Sequence, residues 1–305
     1  MSASITGTWH LIGVGGIGVS AVARLLHSRG ATVQGSDVRE SQLTLALRAL
    51  GITVYIGHDA AHLAGVDTVV VSTAIPDTNP ELVAAREQGL AVVHRSEVLG
   101  RLLENRQSVG VIGTHGKGTV SGATTWLLDA GGHEPGYIIG GLLLNYNNNA
   151  RDGATWMVAE VDESDGSLIN SRPTVAILNN LELDHLNYYK DWEQLEQLVL
   201  RFFLDNPRLE LVVLNVDDVG ARRIYDQLGA LRERGVKVVG FGFDSEDADY
   251  RGLNLNNRRM QGSFDLVHRE RGALGPVKIG LPGAYNSSNL LGAMAIALEV
   301  GVPFD

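Results

Sequence analysis

The sequence contains no cysteine, which excludes disulfide bonds and thiolate metal sites and leaves the redox compartment open. It also lacks any apolar run approaching about 18 residues, the length that spans a membrane as a helix. Its first residues carry neither a basic segment nor a cleavage-like apolar segment. We therefore expect a cytoplasmic protein that has no membrane as a partner.

Basic residues are few and scattered. The chain has 25 Lys and Arg against 35 Asp and Glu, which gives a net charge of −10, and it has no basic block. Because sequence-independent nucleic-acid binding relies on clusters of Lys and Arg, we do not expect a nucleic-acid partner. Only 8 of the 305 residues are proline whereas 37 are glycine, a composition typical of many tight turns between regular elements.

The length is about twice that of a typical domain, and 44% hydrophobic content is enough for two sizeable cores. Apolar runs of strand length alternate with amphipathic stretches of helix length, which predicts an α/β protein with mostly parallel sheets. We predict a Rossmann-like parallel-sheet domain over 1–105 and a P-loop-type α/β ATPase domain over 106–305. A polar stretch at 101–107 suits the junction.

Each predicted domain repeats strands and helices. In the first, strands are expected at 9–15, 32–37, 68–73 and 91–95, and helices at 18–30 and 41–51. In the second, strands are expected at 108–113, 155–162, 174–180, 210–218 and 236–243, and helices at 119–132, 191–205, 219–234 and 287–301. Short strands and turns are expected after residue 245.

The stretch "GVGGIG" at 13–18 follows a predicted strand and opens a predicted helix. Its glycines permit a tight turn and a close approach of the backbone, so a diphosphate can bind at the helix N-terminus. Asp37 ends the next strand, where an acid can meet a ribose hydroxyl, and the loop 72–81 follows a strand at the same sheet edge. The turn does not choose its ligand: NAD, another nucleotide diphosphate, or simple packing of helix on strand all fit.

The stretch "GTHGKGT" at 113–119 has the strand–loop–helix context of a phosphate-binding loop. Backbone N–H groups of such a loop wrap phosphates, and Lys117 would neutralise them. The strict Walker pattern fails twice, because Val111 replaces its first glycine and Gly118 replaces the residue whose hydroxyl holds Mg²⁺. A glycine-rich turn with a chance lysine is the alternative.

Acidic residues follow two later predicted strands. "VAEVDESDGS" places Glu160, Asp162, Glu163 and Asp165 at one strand end, and "NNLELDHLN" ends the next strand with Glu182, Asp184 and His185. Ligands bind at this edge of parallel sheets, and oxygen and imidazole groups suit Mg²⁺ bridged by nucleotide phosphates. A set of solvated loop-end acids is the alternative interpretation.

Taken together, these stretches resemble the Mur ligases of peptidoglycan synthesis. The resemblance runs from residue 9 to residue 303, and it is strongest to the branch that joins L-alanine to UDP-N-acetylmuramate. It rests on nine stretches that occur in the family's order, namely "HLIGVGGIGVSA", "GSD", "VVVSTAIPDTNPEL", "HRSEVL", "GTHGKGT", "IIGG", "VAEVDESDGSL", "NNLELDHLNYY" and "LPGAYNSSNLLGAMAIA". The murein-tripeptide ligases of the same family look less similar, because their first glycine turn generally lacks this form.

The resemblance implies an ATP-dependent, Mg²⁺-dependent ligase that forms an acyl phosphate on the lactyl carboxylate, which the amine of L-alanine then attacks. It implies a UDP-sugar site at Gly13, Gly15, Gly16, Ile17, Gly18, Asp37, Ser72, Thr73, Ala74 and Ile75. It implies an ATP site at Gly113, Thr114, His115, Gly116, Lys117, Gly118, Thr119, Asn286 and Asn289. It implies catalytic roles for Lys117, Glu160 and His185, of which Glu160 and His185 also match the family's metal ligands.

The sequence departs from the family in three respects. Gly118 stands where the family has a metal-binding Thr, and Thr119 lies about 100° further around the helix, so it cannot replace that hydroxyl. Tyr285 stands where the family usually has His. The family also carries a C-terminal amino-acid-binding domain, whereas this chain stops about where that domain should start, so a missing or separate domain is expected. A ligase-like protein that only binds or senses UDP-sugars remains the alternative, and an NAD oxidoreductase would leave the second domain unexplained.

Overall fold

The structure is a computed structural model that describes residues 5–104, 106–184, 188–258 and 261–304. The chain divides into two compact units, each described separately below. The first unit comprises residues 1–105 and 137–152, and the second comprises residues 106–136 and 153–305.

The first unit is built around a parallel sheet. Its five strands are β1 (Thr8–Ile12), β2 (Thr32–Asp37), β3 (Thr53–Ile56), β4 (Thr68–Val71) and β5 (Ala91–His94). Its helices are α1 (Ile17–Ser28), α2 (Gln42–Ala49), α3 (Pro80–Glu87) and α4 (Arg95–Leu103). The strand order is β3-β2-β1-β4-β5, with every neighbouring pair parallel. β1 therefore lies at the centre, and its carboxyl end leads directly into the glycine turn.

Residues 137–152 also belong to the first unit although they lie further along the chain. The strands β7 (Gly136–Leu143) and β8 (Asn148–Arg151) pair antiparallel around the polar turn "NYNN". The buried amide of Asn149 donates to the carbonyl of Ile17 and to Ser20 Oγ at 2.9 and 3.1 Å, which attaches this hairpin to α1. The sequence-based division at residue 105 assigns this hairpin to the second domain. Its attachment to α1 depends on a single amide side chain, and one such contact produces no periodic pattern in the sequence.

The second unit contains a mixed sheet. Its strands are β6 (Gln107–Ile112), β9 (Trp156–Glu160), β10 (Val175–Leu178), β11 (Leu211–Asn215), β12 (Lys237–Gly242), β13 (Tyr250–Arg258), β14 (Gln261–His268) and β15 (Gly272–Ile279). Its helices are α5 (Lys117–Ala130), α6 (Trp192–Leu204), α7 (Val219–Asp226), α8 (Gly229–Glu233) and α9 (Ala284–Glu299). The strand order within this unit is β15-β14-β13-β12-β11-β10-β6-β9. Each neighbouring pair along the order β9-β6-β10-β11-β12-β13 is parallel. The strands β13, β14 and β15 form an antiparallel meander.

Helices cover both faces of this parallel sheet. Ala176, Leu178, Val212 and Leu214 face a buried cluster that includes residues of α6, α7 and α8. Successive side chains of a strand point to opposite faces, so Ile177 faces the other way. A Cβ at Gly292 of α9 would lie 2.8 Å from Ile177 Cδ1, so α9 packs on that opposite face at close range. The carboxyl ends of all parallel strands meet at one edge, where the sequence places its loop and its acids.

The α/β class with a parallel N-terminal sheet is confirmed. Several elements differ from the sequence-based expectations. β3 and α4 were not among the predicted elements. α3 begins inside the stretch 72–81 that was interpreted as a loop. Asn79 is its N-cap and accepts hydrogen bonds there, and Pro80 is its first residue, as is usual at helix starts. The expected helix at 219–234 is two helices that break before Gly229. The expected short strands after residue 245 form a meander of strands eight and nine residues long.

Among the described residues, no helix is long and apolar enough to cross a membrane.

Candidate functional site

The glycine turn of the first unit is fixed by the end of β2. The carbonyl of Ser36 accepts the N–H groups of Gly13 and Val14 at 2.9 and 3.0 Å. Gly13 has a φ of +76°, which favours glycine, and Gly16 is the N-cap of α1 without a side-chain hydrogen bond. The turn therefore presents an uncapped helix N-terminus, the arrangement expected of a diphosphate site.

Asp37 contacts the turn itself. Its Oδ2 accepts the N–H of Gly15 at 2.8 Å, and its Oδ1 accepts the N–H of Arg39 at 3.3 Å. In this structure the carboxylate therefore braces the turn, whereas the sequence suggested a ribose contact. The segment 72–75 follows β4, and a Cβ at Gly13 would lie 3.0 Å from Ile75 Cδ1. The predicted residues of the first site are thus brought together at one edge of the sheet.

The phosphate-type loop of the second unit lies between β6 and α5. Gly113 and Gly116 have φ values of +148° and +81°, so both need glycine. Gly116 is the N-cap of α5 and makes no side-chain cap, so the first turn, which begins with Lys117, Gly118 and Thr119, presents its N–H groups at the helix end. The positive end of this 14-residue helix adds to that electropositive site.

Lys117 is held by a buried carboxylate. Its Nζ lies 3.0 Å from both oxygens of Glu163 and donates to the carbonyl of Gly113 at 2.7 Å. The side chain of Glu163 is 2% exposed and that of Lys117 is 18% exposed. Burial raises the pKa of the Glu163 carboxyl, and the Lys117 ammonium opposes that effect. The Glu163 carboxylate therefore orients the lysine. The sequence alone identified Glu163 only as one of four acids at the end of this strand.

Two asparagines after β10 hold the loop in place. Asn180 accepts the N–H of His115 at 2.7 Å and donates to the carbonyl of the same residue at 2.9 Å. Asn179 donates to that carbonyl at 3.2 Å and to Asn289 Oδ1 at 2.7 Å. Thr114 Oγ1 receives the N–H of Glu182 at 2.9 Å. Sequence reasoning missed both asparagines, although polar residues directly after a buried strand were the available signal.

Gly118 faces the predicted metal ligand. A Cβ at this position would lie 3.3 Å from Glu160 Oε1, so the two positions adjoin as the ligand pattern of a phosphate loop requires. His185, the other predicted ligand, lies outside the described residues. Within the described ranges, no group of three His, Asp or Glu residues is arranged to hold a metal ion. The proposed metal pair therefore stays a prediction.

A cleft of about 690 Å³ opens beside the loop. Its walls come from strand ends of the second unit and from α9, and they include His115, Gly116, Asn179, Asp217, Phe243 and Asn289. Tyr285 is 91% exposed and lines this cleft, whereas Asn286 is absent from its walls and donates to the carbonyl of Pro282 at 2.7 Å. Of the two asparagines predicted for the ATP site, only Asn289 thus faces the cleft.

Comparison with known families places both units in one group. The profile described as "Mur ligase family, catalytic domain" matches residues 8–107, and "Mur ligase middle domain" matches residues 111–297. A UDP-N-acetylmuramate–L-alanine ligase of Novosphingobium aromaticivorans is 39% identical over 97% of this chain and 62% of its own length. The enzyme of that name from Thermobifida fusca is 42% identical over 97% of this chain and 61% of its own length. The chain thus spans less than two thirds of these relatives.

Solved structures agree with the fold. A UDP-N-acetylmuramate:L-alanyl-γ-D-glutamyl-meso-diaminopimelate ligase from Neisseria meningitidis superposes with a TM-score of 0.87 at 28% identity, over 98% of this chain and 95% of that one. A UDP-N-acetylmuramate–alanine ligase from Thermotoga maritima superposes with a TM-score of 0.82 at 27% identity, over 97% of this chain and 65% of that one. The two structures are named for different amine substrates.

Proposed function

Because the chain belongs to the Mur ligase family, we propose that it provides the nucleotide-sugar and ATP sites of a ligase that joins UDP-N-acetylmuramate to L-alanine. Relatives that match nearly all of this chain carry that name. In this reaction the lactyl carboxylate takes the γ-phosphoryl group of ATP and ADP leaves. The amine then attacks the acyl phosphate, an amide forms and phosphate departs. The cytoplasmic location expected from the sequence stays a prediction.

The surroundings of Lys117 carry this proposal. Phosphoryl transfer demands neutralisation of negative charge along the phosphate chain. The uncapped N–H groups of α5 and the Lys117 ammonium supply positive charge at one point of the second unit. The buried Oδ1 of Asn179 beside the loop has no donor among the described residues, which suits a group that meets a ligand. These residues fit a bound nucleotide triphosphate.

We propose that Glu160 and His185 hold a Mg²⁺ ion at this site. A carboxylate oxygen is a preferred Mg²⁺ ligand, and Glu160 adjoins the first turn of α5. The part of His185 rests on the resemblance alone. When bound, the ion would supply further charge neutralisation on the phosphates. With Gly118 in place of a hydroxyl residue, a water molecule would occupy the corresponding position around the ion.

Calorimetric titration of the 305-residue chain tests the two sites separately. We expect UDP-N-acetylmuramate and ATP each to bind, and Lys117→Ala to weaken ATP binding by about 10²-fold without changing the affinity for the nucleotide sugar. Lys278→Ala, at an exposed residue of β15, serves as the control and should change neither affinity. Failure of the chain to bind the nucleotide sugar, or equal ATP affinity in Lys117→Ala, would contradict the proposal.

The amine substrate needs its own test, since the two solved relatives are named for different amines. We propose L-alanine, in agreement with the curated relatives. The assay measures phosphate release with either L-alanine or the L-alanyl-γ-D-glutamyl-meso-diaminopimelate tripeptide, in the presence of a separately expressed C-terminal domain of a curated relative. Turnover with the tripeptide alone would reassign the substrate.

Gly118 favours a second candidate, a ligase-like protein that binds UDP-sugars without efficient catalysis. The comparison is between the native chain and Gly118→Thr in the same assay. The threonine Cβ would lie 3.3 Å from the end of the flexible Glu160 side chain, so it can be accommodated by a small shift. Turnover by the native chain rejects the binding-only candidate, whereas turnover only in Gly118→Thr supports it.

A further inference from the structure

One stretch that supports the family resemblance, "HRSEVL" at 94–99, has no part in the two sites described above. In the structure β5 ends at His94 and α4 begins at Arg95. A capping box fixes this junction: the N–H of His94 donates to Glu97 Oε1 at 2.9 Å, and His94 Nδ1 accepts the N–H of Ser96 at 3.3 Å. Arg95 is therefore held at the carboxyl end of β5, at the sheet edge that also carries the glycine turn.

The Arg95 side chain extends to the first turn of α1. A Cβ at Gly18 would lie 3.5 Å from Arg95 Nη1 and 3.9 Å from its Cζ. Gly16 is the N-cap of α1, so the N–H groups of residues 17–19 have no partner within the helix. The half-buried Arg95 and these N–H groups therefore meet at one point, the helix N-terminus that the glycine turn presents.

The groups that hold the glycine turn supply no positive charge. Asp37 Oδ2 accepts the N–H of Gly15, and the Ser36 carbonyl accepts two further N–H groups of the turn. The Ser36 hydroxyl donates to the fully buried carboxylate of Glu81. The residues predicted for the sugar site include no Lys or Arg. The N-terminus of α1 is equivalent to only about half a positive charge, whereas a diphosphate carries a negative charge on each phosphate.

We propose that Arg95 is a binding residue of the nucleotide-sugar site and that its guanidinium neutralises the diphosphate through hydrogen bonds to phosphate oxygens. This inference rests on the proposed function. A guanidinium presents a planar fork of N–H donors that matches a phosphate group, and its hydrogen bonds to anions are stronger than those between neutral groups. The capping box already fixes the backbone of Arg95, so less freedom is lost when the ligand binds.

Arg39 is a second cation near this edge, because it follows β2. Its side chain is exposed, and its backbone N–H donates to Asp37 Oδ1 at 3.3 Å. Arg95 differs in that its guanidinium itself lies against the first turn of α1. The geometry therefore favours Arg95, and Arg39 serves as the rival in the test.

Calorimetric titration with UDP-N-acetylmuramate tests this role. We expect Arg95→Ala to weaken binding by about 10- to 100-fold, as for lost hydrogen bonds to a charged group, and to leave ATP affinity unchanged. Arg101→Ala removes the same charge from the same helix, about 9 Å further along, and should leave both affinities unchanged. Arg39→Ala should weaken nucleotide-sugar binding by no more than about twofold, because salt screens an exposed charge.

Two conservative variants separate charge from structure. Arg95→Lys keeps the positive charge without the fork, and Arg95→Gln keeps a polar side chain without the charge. We expect nucleotide-sugar affinity to fall in the order native, Arg95→Lys, Arg95→Gln, whereas a structural role would not separate the two variants by charge. The affinity of the native chain should also fall more steeply with added NaCl than that of Arg95→Gln. Urea unfolding verifies that each variant is folded.

Nucleotide-sugar affinity that is unchanged in Arg95→Ala, equal in Arg95→Lys and Arg95→Gln, or lost in Arg39→Ala instead would overturn the inference while leaving the proposed function standing. Absence of nucleotide-sugar binding by the native chain would overturn both.

Discussion

Lys117 and Glu163 form an ion pair, and their contributions to the free energy of unfolding should be strongly coupled. Removing one partner of a buried ion pair typically costs about 3–5 kcal/mol, because the other charge stays buried. Lys117 keeps some contact with water and the carbonyl of Gly113, so we expect Glu163→Gln to cost about 2 kcal/mol. Glu163 is almost fully buried, so Lys117→Met should cost about 3 kcal/mol.

The double variant separates coupling from side-chain loss. In Lys117→Met/Glu163→Gln neither charge remains. The loss in free energy of unfolding of this double variant should therefore be about 2 kcal/mol smaller than the sum of the losses in the two single variants. Urea unfolding provides the free energies, with Lys278→Met as an exposed control expected within about 0.5 kcal/mol of the native chain. A coupling energy near zero would refute the reasoning.

The pH dependence gives an independent check of the same pair. Burial already raises the pKa of Glu163, and loss of the lysine removes the effect that opposes this rise. The folded Lys117→Met variant should therefore bind a proton more readily than its unfolded chain, so its stability relative to the native chain should increase as the pH falls. A penalty that stays constant with pH would show that Glu163 is not the buried charge responsible.

Three further outcomes are expected. The pKa of the Glu81 carboxyl is lowered from 4.5 to about 2, so its ionisation should add about 3 kcal/mol to the free energy of unfolding above pH 4.5, and this contribution should be lost as the pH falls towards 2. Acid unfolding measures this loss, and Glu81→Gln should make the free energy of unfolding depend less on pH. Gly35→Ala should lower the free energy of unfolding in urea by at least about 2 kcal/mol, because the added Cβ would lie 2.6 Å from the carbonyl oxygen of Leu11 in β1. Gly141→Ala is the control, since no atom lies within 4 Å of a Cβ at that position. Asn180→Ala should weaken ATP binding about tenfold in calorimetry, because His115 loses two hydrogen bonds.

Each of these has a contrary result. Acid unfolding that is identical in Glu81→Gln would contradict the assignment of the lowered pKa. Equal stability of the two glycine variants would contradict the close approach of β2 to β1. Unchanged ATP affinity in Asn180→Ala would mean that the conformation of the loop does not depend on the hydrogen bonds between Asn180 and His115.

The sequence predicted those parts of the fold that repeat. Strand β2 was predicted to the residue, and β6, β9, β10, β11 and β12 within one to three residues at each end, because buried parallel strands are continuous apolar runs. β3 was not predicted, although its four residues "TVYI" make it as long as β4, β5 and β10. α3 was missed because its Pro and Asn were interpreted as loop residues although they also begin helices.

The sites were predicted less completely. Glycine turns and strand-end acids are local patterns, so the loop around Lys117 could be found from the sequence. The choice of Glu163 as its partner depends on side-chain distances between separate strands, which no spacing encodes. The same holds for the hydrogen bonds of Asn180 to His115. It also holds for Glu81, whose neighbouring histidines come from β1 (His10) and from the segment between β3 and β4 (His58 and His62). The roles of Gly113 to Thr119, and of the metal ligands, stay predictions.

The hairpin 137–152 has a consequence for biosynthesis. A chain emerging from the ribosome can form the five-stranded sheet once β5 and α4 are available, but the amide of Asn149 that binds Ile17 and Ser20 arrives much later. The first unit is therefore complete only after β6 and α5 of the second have been synthesised. A fragment cut at residue 105 would leave part of α1 uncovered, and an excised first unit must carry residues 137–152 through a designed linker.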